Sequence, residues 1–344
     1  MPTVDILGAP HAYELLRSPT DSSAETLVFI HGWLLSQAYW QPLVSALLPS
    51  HCCLTYDMRG FGDSIHRHHE AVEGTLEARL PASSVSSVSL QAKSRCVSLP
   101  SQYAWQPKES VEKECVEKVR EGKKASVYKA SAFSLAAYAQ DLGELLDRLG
   151  LDRVWLVGHS LGGSVALWAA YLLPERVKGV ICLNAGGGIY IPKEFEKFRA
   201  AGQQMVKFRP PWLAELPLLP RVFTRAMVHK PLEIRWGQQR LRDFVQADGT
   251  AAKGALLEST TCDEVHQLPQ LIGQLRQPVR FITASQDTIM PPRYVHYLAS
   301  FHPQFEAVEM VAEIPDCGHM SMVEQPQAVA AAVLKALSSA LPSV

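Results

Sequence analysis

The 344-residue chain has almost no excess of charge: 33 Lys and Arg stand against 34 Asp and Glu, a formal net charge of -1. No global positive field is there to draw nucleic acid, which drops out as a partner class. A cysteine framework is missing too. The seven cysteines, at 52, 53, 96, 115, 182, 262 and 317, form no CxxC pair. Cys52 and Cys53 are adjacent in a strand-like run, so their side chains should point to opposite faces. This usage argues against a disulfide scaffold or a zinc site and best fits a reducing compartment. Nor does the sequence contain GxGxxG or GxxxxGKS/T, so no nucleotide cofactor is implied, and no metal.

A membrane span is lacking in a more instructive way. Residues 154–174 carry no formal charge and are long enough to cross a bilayer. Gly158, Gly162 and Gly163 fall inside that window, and a buried strand, a tight turn and a buried helix explain it better. The first sixteen residues, MPTVDILGAPHAYELL, have no basic stretch ahead of an apolar one and do not read as a signal peptide. The expected location is the cytoplasm, or a plastid if a transit peptide is missing from this sequence.

What the chain does have is apolar bulk. Hydrophobic residues make up 47% and charged residues 19%, enough for a sizeable core. Short β-branched runs at 26–32, 51–57, 153–159, 177–184, 278–285 and 307–314 read as strands. Helical apolar spacing falls at 37–48, 133–149, 161–173, 293–300 and 323–341. Ser134 is placed to cap the second of these helices and Gly150 to end it. Strands alternating with helices predict an α/β fold: a mostly parallel sheet with helices on both faces. Such sheets hold their sites at the C-terminal strand ends. Gly32-Trp33, Asp57, Ser160 and Asp287 each follow a strand.

Two segments interrupt the alternation. Residues 65–132 form a polar, Ser-rich insertion ending in a Glu/Lys-rich stretch. A short exposed helix is expected near 109–121, and 70–128 should be dispensable for chemistry. Residues 187–270 form a helical cap inserted between core strands. The core is then 1–64, 133–186 and 271–344.

The strongest chemical signal is GHSLGG at 158–163. It places Ser160 between a strand and a helix, on a sharp turn whose neighbours must be small. A serine hydroxyl needs a base, and the base needs an orienting acid. Asp287 follows one downstream strand and His319 the next. The chain thus resembles the α/β-hydrolase superfamily in its HG-x, RGFGDS and GHSLGG motifs, in the order Ser160, Asp287, His319, and in Glu324 and Pro326 beyond the histidine. The resemblance covers most of 1–64 and 133–344. The stretch GGGIYIPKEFEKFRAAGQQ is similar to a poorly characterised hydrolase group of photosynthetic organisms.

That resemblance implies a cofactor-independent serine hydrolase of a carboxylic ester or related acyl bond. Ser160 would attack, His319 would move the proton and Asp287 would orient the imidazole. The backbone N–H groups of Trp33 and Leu161 would form the oxyanion hole. Carbon–carbon hydrolysis, haloperoxidase chemistry or a slow-turnover ligand receptor could use the same residues. Epoxide hydrolase and dehalogenase chemistry lose ground, because their family nucleophile is Asp.

Other polar residues receive plainer readings. His159 reads as a packing residue, and His31 as a support for the oxyanion loop. Asp57 and Arg59 should organise the RGFGDS loop. Asp316 is a poor rival acid because it shares the loop of its base. His66, His68 and His69 read as a solvated loop. The apolar stretch 208–223 should belong to the cap and partly line a pocket for an apolar ester. Activity would then climb from acetate toward octanoate until the pocket fills. Flanking basic residues also suggest transient contact with a membrane surface.

Overall fold

The computed structural model describes residues 1–21, 24–65, 131–188 and 192–339. The segment 66–130, with the three histidines and the helix expected near 109–121, lies outside the described residues.

Eight strands form one sheet. They are β1 (Thr3–Ile6), β2 (Ala9–Leu16), β3 (Thr26–Ile30), β4 (Cys52–Tyr56), β5 (Val154–His159), β6 (Val177–Leu183), β7 (Val279–Ala284) and β8 (Val311–Ile314). Their spatial order is β1-β2-β4-β3-β5-β6-β7-β8. Only β1 and β2 run antiparallel to their neighbours. After β3 comes α1 (Gln41–Leu47), preceded by a 3-10 turn at Gln37–Trp40; α2 (Leu135–Leu149) precedes β5, and α3 (Leu161–Leu172) follows it. After β7 come α9 (Pro292–Ala299), α10 (Ser321–Glu324) and α11 (Pro326–Ser338).

Both faces of the sheet are covered, as the unbroken apolar strands require. Val28, Ile30, Leu54, Leu156 and Val180 pack toward α2 and α3. Their alternate neighbours Leu27, Phe29, Cys53, Val157 and Ile181 pack on the other face, with α1 and α11. Ser134 caps α2 by accepting the Ala137 N–H at 3.1 Å, and Gly150 ends the helix in the left-handed region.

Between β6 and β7 the chain is helical: α4 (Pro192–Lys207), a 3-10 turn at Pro211–Glu215, α5 (Leu219–Phe223), α6 (Ile234–Gln246), α7 (Gly249–Ser259) and α8 (Cys262–Ile272). The last of these joins the main core through Leu268, Leu271 and Ile272. The apolar 154–174 window resolves into β5, a turn and α3. Among the described residues no helix is long and apolar enough to cross a membrane.

Three elements differ from the sequence reading. The strand expected over 307–314 begins only at Val311, because turns occupy Gln304 to Ala307. The helix expected over 323–341 is two helices, since Pro326 lacks the N–H a continuous helix needs and opens α11 instead. The β1–β2 hairpin was not anticipated at all.

Candidate active site

The sheet reverses its winding direction at β3 and β5, and the candidate residues gather at the C-terminal ends of those strands. Ser160 stands between β5 and α3 with φ 53° and ψ -119°. Its N–H donates to the Leu183 carbonyl, and its own carbonyl accepts from Gly163, both at 3.0 Å. The turn is possible only because its flanks are bare. A Cβ on Gly158 would lie 2.3 Å from the Gly162 oxygen, and one on Gly162 would lie 2.2 Å from the Ile30 oxygen. Leu161 opens α3, so its N–H lies at the positive end of that helix.

Asp287 and His319 meet across the loops after β7 and β8. His319 Nδ1 donates to Asp287 Oδ2 at 2.7 Å, and both side chains are buried. Asn184 Nδ2 donates to the same oxygen at 2.9 Å. The other carboxylate oxygen accepts the N–H groups of Ile289 (2.9 Å) and Met290 (2.8 Å). Burial alone would raise the Asp287 pKa. The adjacent His319 and these hydrogen bonds outweigh it and hold the carboxyl below its usual range. An ionised Asp287 fixes the proton of His319 on Nδ1, which leaves Nε2 as a base. Asp316 is exposed, and its N–H is held by Ser285 Oγ at 2.9 Å.

Supports surround these groups. His159 is fully buried, and its ring lies 4.8 Å from that of His319. Its Nε2 donates to the His319 carbonyl at 2.8 Å. Burial, reinforced by His319, pushes its pKa down to about 3, so the ring is neutral. His31 Nδ1 donates to the Gly32 carbonyl at 2.8 Å, and its Nε2 accepts the Met58 N–H at 2.9 Å. Asp57 accepts the Gln37 N–H at 2.6 Å and the Asp63 N–H at 2.9 Å. Arg59 grips Asp141 with two nitrogens. All these groups are spent on holding loops. Among the described residues no three His, Cys, Asp or Glu side chains cluster as metal ligands.

Ser160 opens onto a cavity of about 90 Å³, whose apolar lining includes Trp33, Phe195, Phe198, Leu256, Ile289 and Met290. Trp33 does more here than its backbone role predicted. Its ring lines the cavity, and its Nε1 donates to the Ala252 carbonyl at 2.8 Å, tying α7 to the loop after β3. A larger groove of about 520 Å³, beside Gln37, Gln41, Arg235 and Trp236, does not include Ser160.

The stretch 208–223 does not line the cavity, against expectation. Its prolines limit it to single-turn helices that lie on α6, and Phe208, Trp212, Leu216, Leu218 and Val222 face solvent. Besides Trp33, the cavity takes its aromatics from α4 instead. Phe195 and Phe198 sit three residues apart on one helix face, a spacing legible in EFEKF. Asn184, Ser321 and Glu324 complete the scaffold. Ser321 Oγ donates to Asn184 Oδ1 at 2.5 Å. Glu324 accepts the N–H groups of Gly318 and, at 2.7 Å, of His229.

This sheet, with its sharp serine turn and its buried histidine–aspartate pair, defines a hydrolase architecture. The family model described as alpha/beta hydrolase fold matches residues 25–326, and the chain belongs to that family. An uncharacterized protein of Mycobacterium tuberculosis is 28% identical over 198 residues, 53% of this chain and 57% of that protein. The chain thus spans little more than half the length of that relative. A soluble epoxide hydrolase of Corynebacterium is 22% identical over 334 residues, 92% of this chain and 91% of its own. Among solved structures, a thermophilic esterase from Thermogutta terrifontis superposes with a TM-score of 0.63 at 20% identity, covering 98% of both chains. At that identity the likeness speaks for the fold alone.

Proposed function

We propose that the chain is a serine hydrolase that cleaves carboxylic esters with a short apolar acyl group. The observation that carries the reading is Ser160, held on its turn at the cavity wall, one residue from the ring that packs against His319. Ser160 Oγ attacks the acyl carbonyl while His319 Nε2 takes its proton. The developing oxyanion is received by the N–H groups of Trp33 and Leu161, each such donor being worth roughly 3–4 kcal/mol. His319 then protonates the leaving alcohol. Water, activated by the same nitrogen, releases the acid and restores Ser160. Asp287 stays ionised throughout and stabilises the imidazolium. Residues 187–270 act as a cap whose α4 and α7 roof the acyl pocket. Serine at 160 speaks against the chemistry named for the Corynebacterium relative, because the nucleophile of that family is Asp.

The size of the pocket sets the acyl group. About 90 Å³ holds roughly three water-sized groups, or an acyl chain of about three to four carbons. A fluorophosphonate probe should label the wild-type chain and not Ser160→Ala, and p-nitrophenyl butyrate should turn over many times per chain. Equal labelling of the variant would remove the assignment. A single turnover per chain would turn the reading toward a ligand receptor.

A further inference from the structure

Residues 205–222 hold six of the large apolar side chains that face solvent: Met205, Phe208, Trp212, Leu216, Leu218 and Val222. Four of them, Phe208, Trp212, Leu218 and Val222, are between 57% and 68% exposed. None lines the acyl cavity, so the proposed hydrolysis leaves them unexplained. Scattered exposed hydrophobes need no account, but a run of this density does.

The segment is a built platform. The 3-10 turn Pro211–Glu215 and α5 both lie against α6. Arg209 fastens the start by donating to the carbonyls of Phe244 (2.8 Å) and Ala247 (2.9 Å). Phe223 fastens the end, its ring 5.8 Å from that of Phe244. At Gly237 a Cβ would lie 2.0 Å from the Pro220 oxygen, so α6 and α5 touch backbone to backbone. Prolines at 210, 211, 217 and 220 stiffen the path between these anchors. The inner side chains do the fastening, and the apolar outer ones are left presented to solvent.

Charge selects the occupant. Lys207, Arg221 and Arg225 are exposed around the platform, and Glu215 is the single acid between 205 and 225. None of the ion pairs among the described residues uses those three cations. A second copy of the chain docking face to face would set these cations against their own kind. An anionic bilayer would meet them with phosphates while accepting the apolar side chains, with Trp212 at the level a tryptophan prefers. We infer that this platform docks on the surface of an anionic lipid bilayer. The acyl cavity lies along the same helix: Phe195 precedes Met205 by ten residues, about 15 Å of α4. Docking would therefore bring the cavity close to the lipid without inserting any helix.

The test is co-flotation of the full chain with vesicles of phosphatidylcholine, alone or mixed with phosphatidylglycerol, at low and high salt. Binding should require the anionic lipid and weaken with salt. The triple variant Phe208→Ser, Trp212→Ser, Leu218→Ser should bind at least about tenfold more weakly, since each buried methylene lost is worth about fourfold. Its thermal midpoint should stay close to wild type, because these side chains are exposed. Arg221→Gln with Arg225→Gln should weaken binding about fivefold per cation. Absence of binding to either vesicle would overturn the inference, as would binding that both variants retain. A dimer in sedimentation velocity that the triple variant dissolves would assign the platform to a second copy instead.

Discussion

At the scale of single residues, two aspartates compete for His319, and geometry separates them. Asp287 accepts the imidazole N–H at 2.7 Å. Asp316 is exposed on the loop of the histidine itself. An amide at 287 would present N–H to a nitrogen that must itself donate, and so would favour the wrong tautomer. Asp287→Asn should lower turnover by up to about 10⁴, as the same change does in a serine protease. Asp316→Asn should change it little, and steady-state kinetics on p-nitrophenyl butyrate would expose a reversed ranking. The sharp turn at Ser160 and the pairing of Asp287 with His319 were legible because a motif and a chain order announce them. Asn184 was not, and although His159 could be read as a packing residue, its partner could not. Asn184 meets Asp287 from 103 residues away, and His159 meets the His319 carbonyl across 160. Local spacing carries no trace of such contacts, although the asparagine at the end of the β6 run was visible as a polar residue at a strand terminus.

At the scale of elements, α4 and α7 both wall the cavity, and in the proposed reaction they would decide what it accepts. A Cβ on Gly202 would lie 2.7 Å from the Leu256 side chain, so these helices close tightly beyond Phe198. Lengthening the acyl chain from acetate to butyrate should raise kcat/KM by about fourfold per methylene. Octanoate should then fall well below butyrate. A series of p-nitrophenyl esters measures this, and a continued rise to octanoate would show that the roof opens. The alternating core elements could be read because each is one apolar run bounded by Gly, Pro or a cap. The β1–β2 hairpin escaped because its turn is Leu7-Gly8, with φ of 51° and 79°. Leucine is a poor tenant of that conformation, and the Asn-Gly signal of such turns is absent. The 208–223 stretch misled for a different reason. Composition records how apolar a segment is and says nothing of which side faces out.

At the scale of the whole molecule, opposed buried titrations shape the response to acid. His159 is held at about 3 against a reference of 6.5. Between those values the unfolded chain binds a proton that the native ring refuses, so stability falls as pH falls. His31, also lowered by burial, acts in the same direction. Asp243 runs the other way. Burial raises it from 3.8 to about 7, so the native carboxyl holds a proton that the unfolded one has released, and stability falls as pH rises. Glu264, raised to about 7 by burial, adds to that side. Asp243 lies where α6 meets the loop after β3, accepting from Ser36 Oγ and Gln239 Nε2, both at 2.9 Å. The two kinds of contribution oppose each other between 3.8 and 6.5. Asp243→Asn removes one opposing proton, and its unfolding free energy should climb with pH by about 1.4 kcal/mol per unit more steeply than the wild type. Urea melts at several pH values test this, and parallel profiles for the two proteins would refute it.

The backbone of Ser160 has a consequence outside chemistry. At φ 53° and ψ -119° it occupies a region where glycine is at ease and an L side chain is not. The fold has accepted a less comfortable residue at the position where the proposed reaction needs a hydroxyl. Ser160→Gly should therefore be inert toward esters yet melt higher than the wild type, by about 1.4 °C for a gain of about 1 kcal/mol. Ser160→Ala, equally inert, keeps the Cβ and should gain none of this. Comparing the two variants by calorimetry would measure how much thermal endurance the chain forgoes for carrying a side chain on this turn.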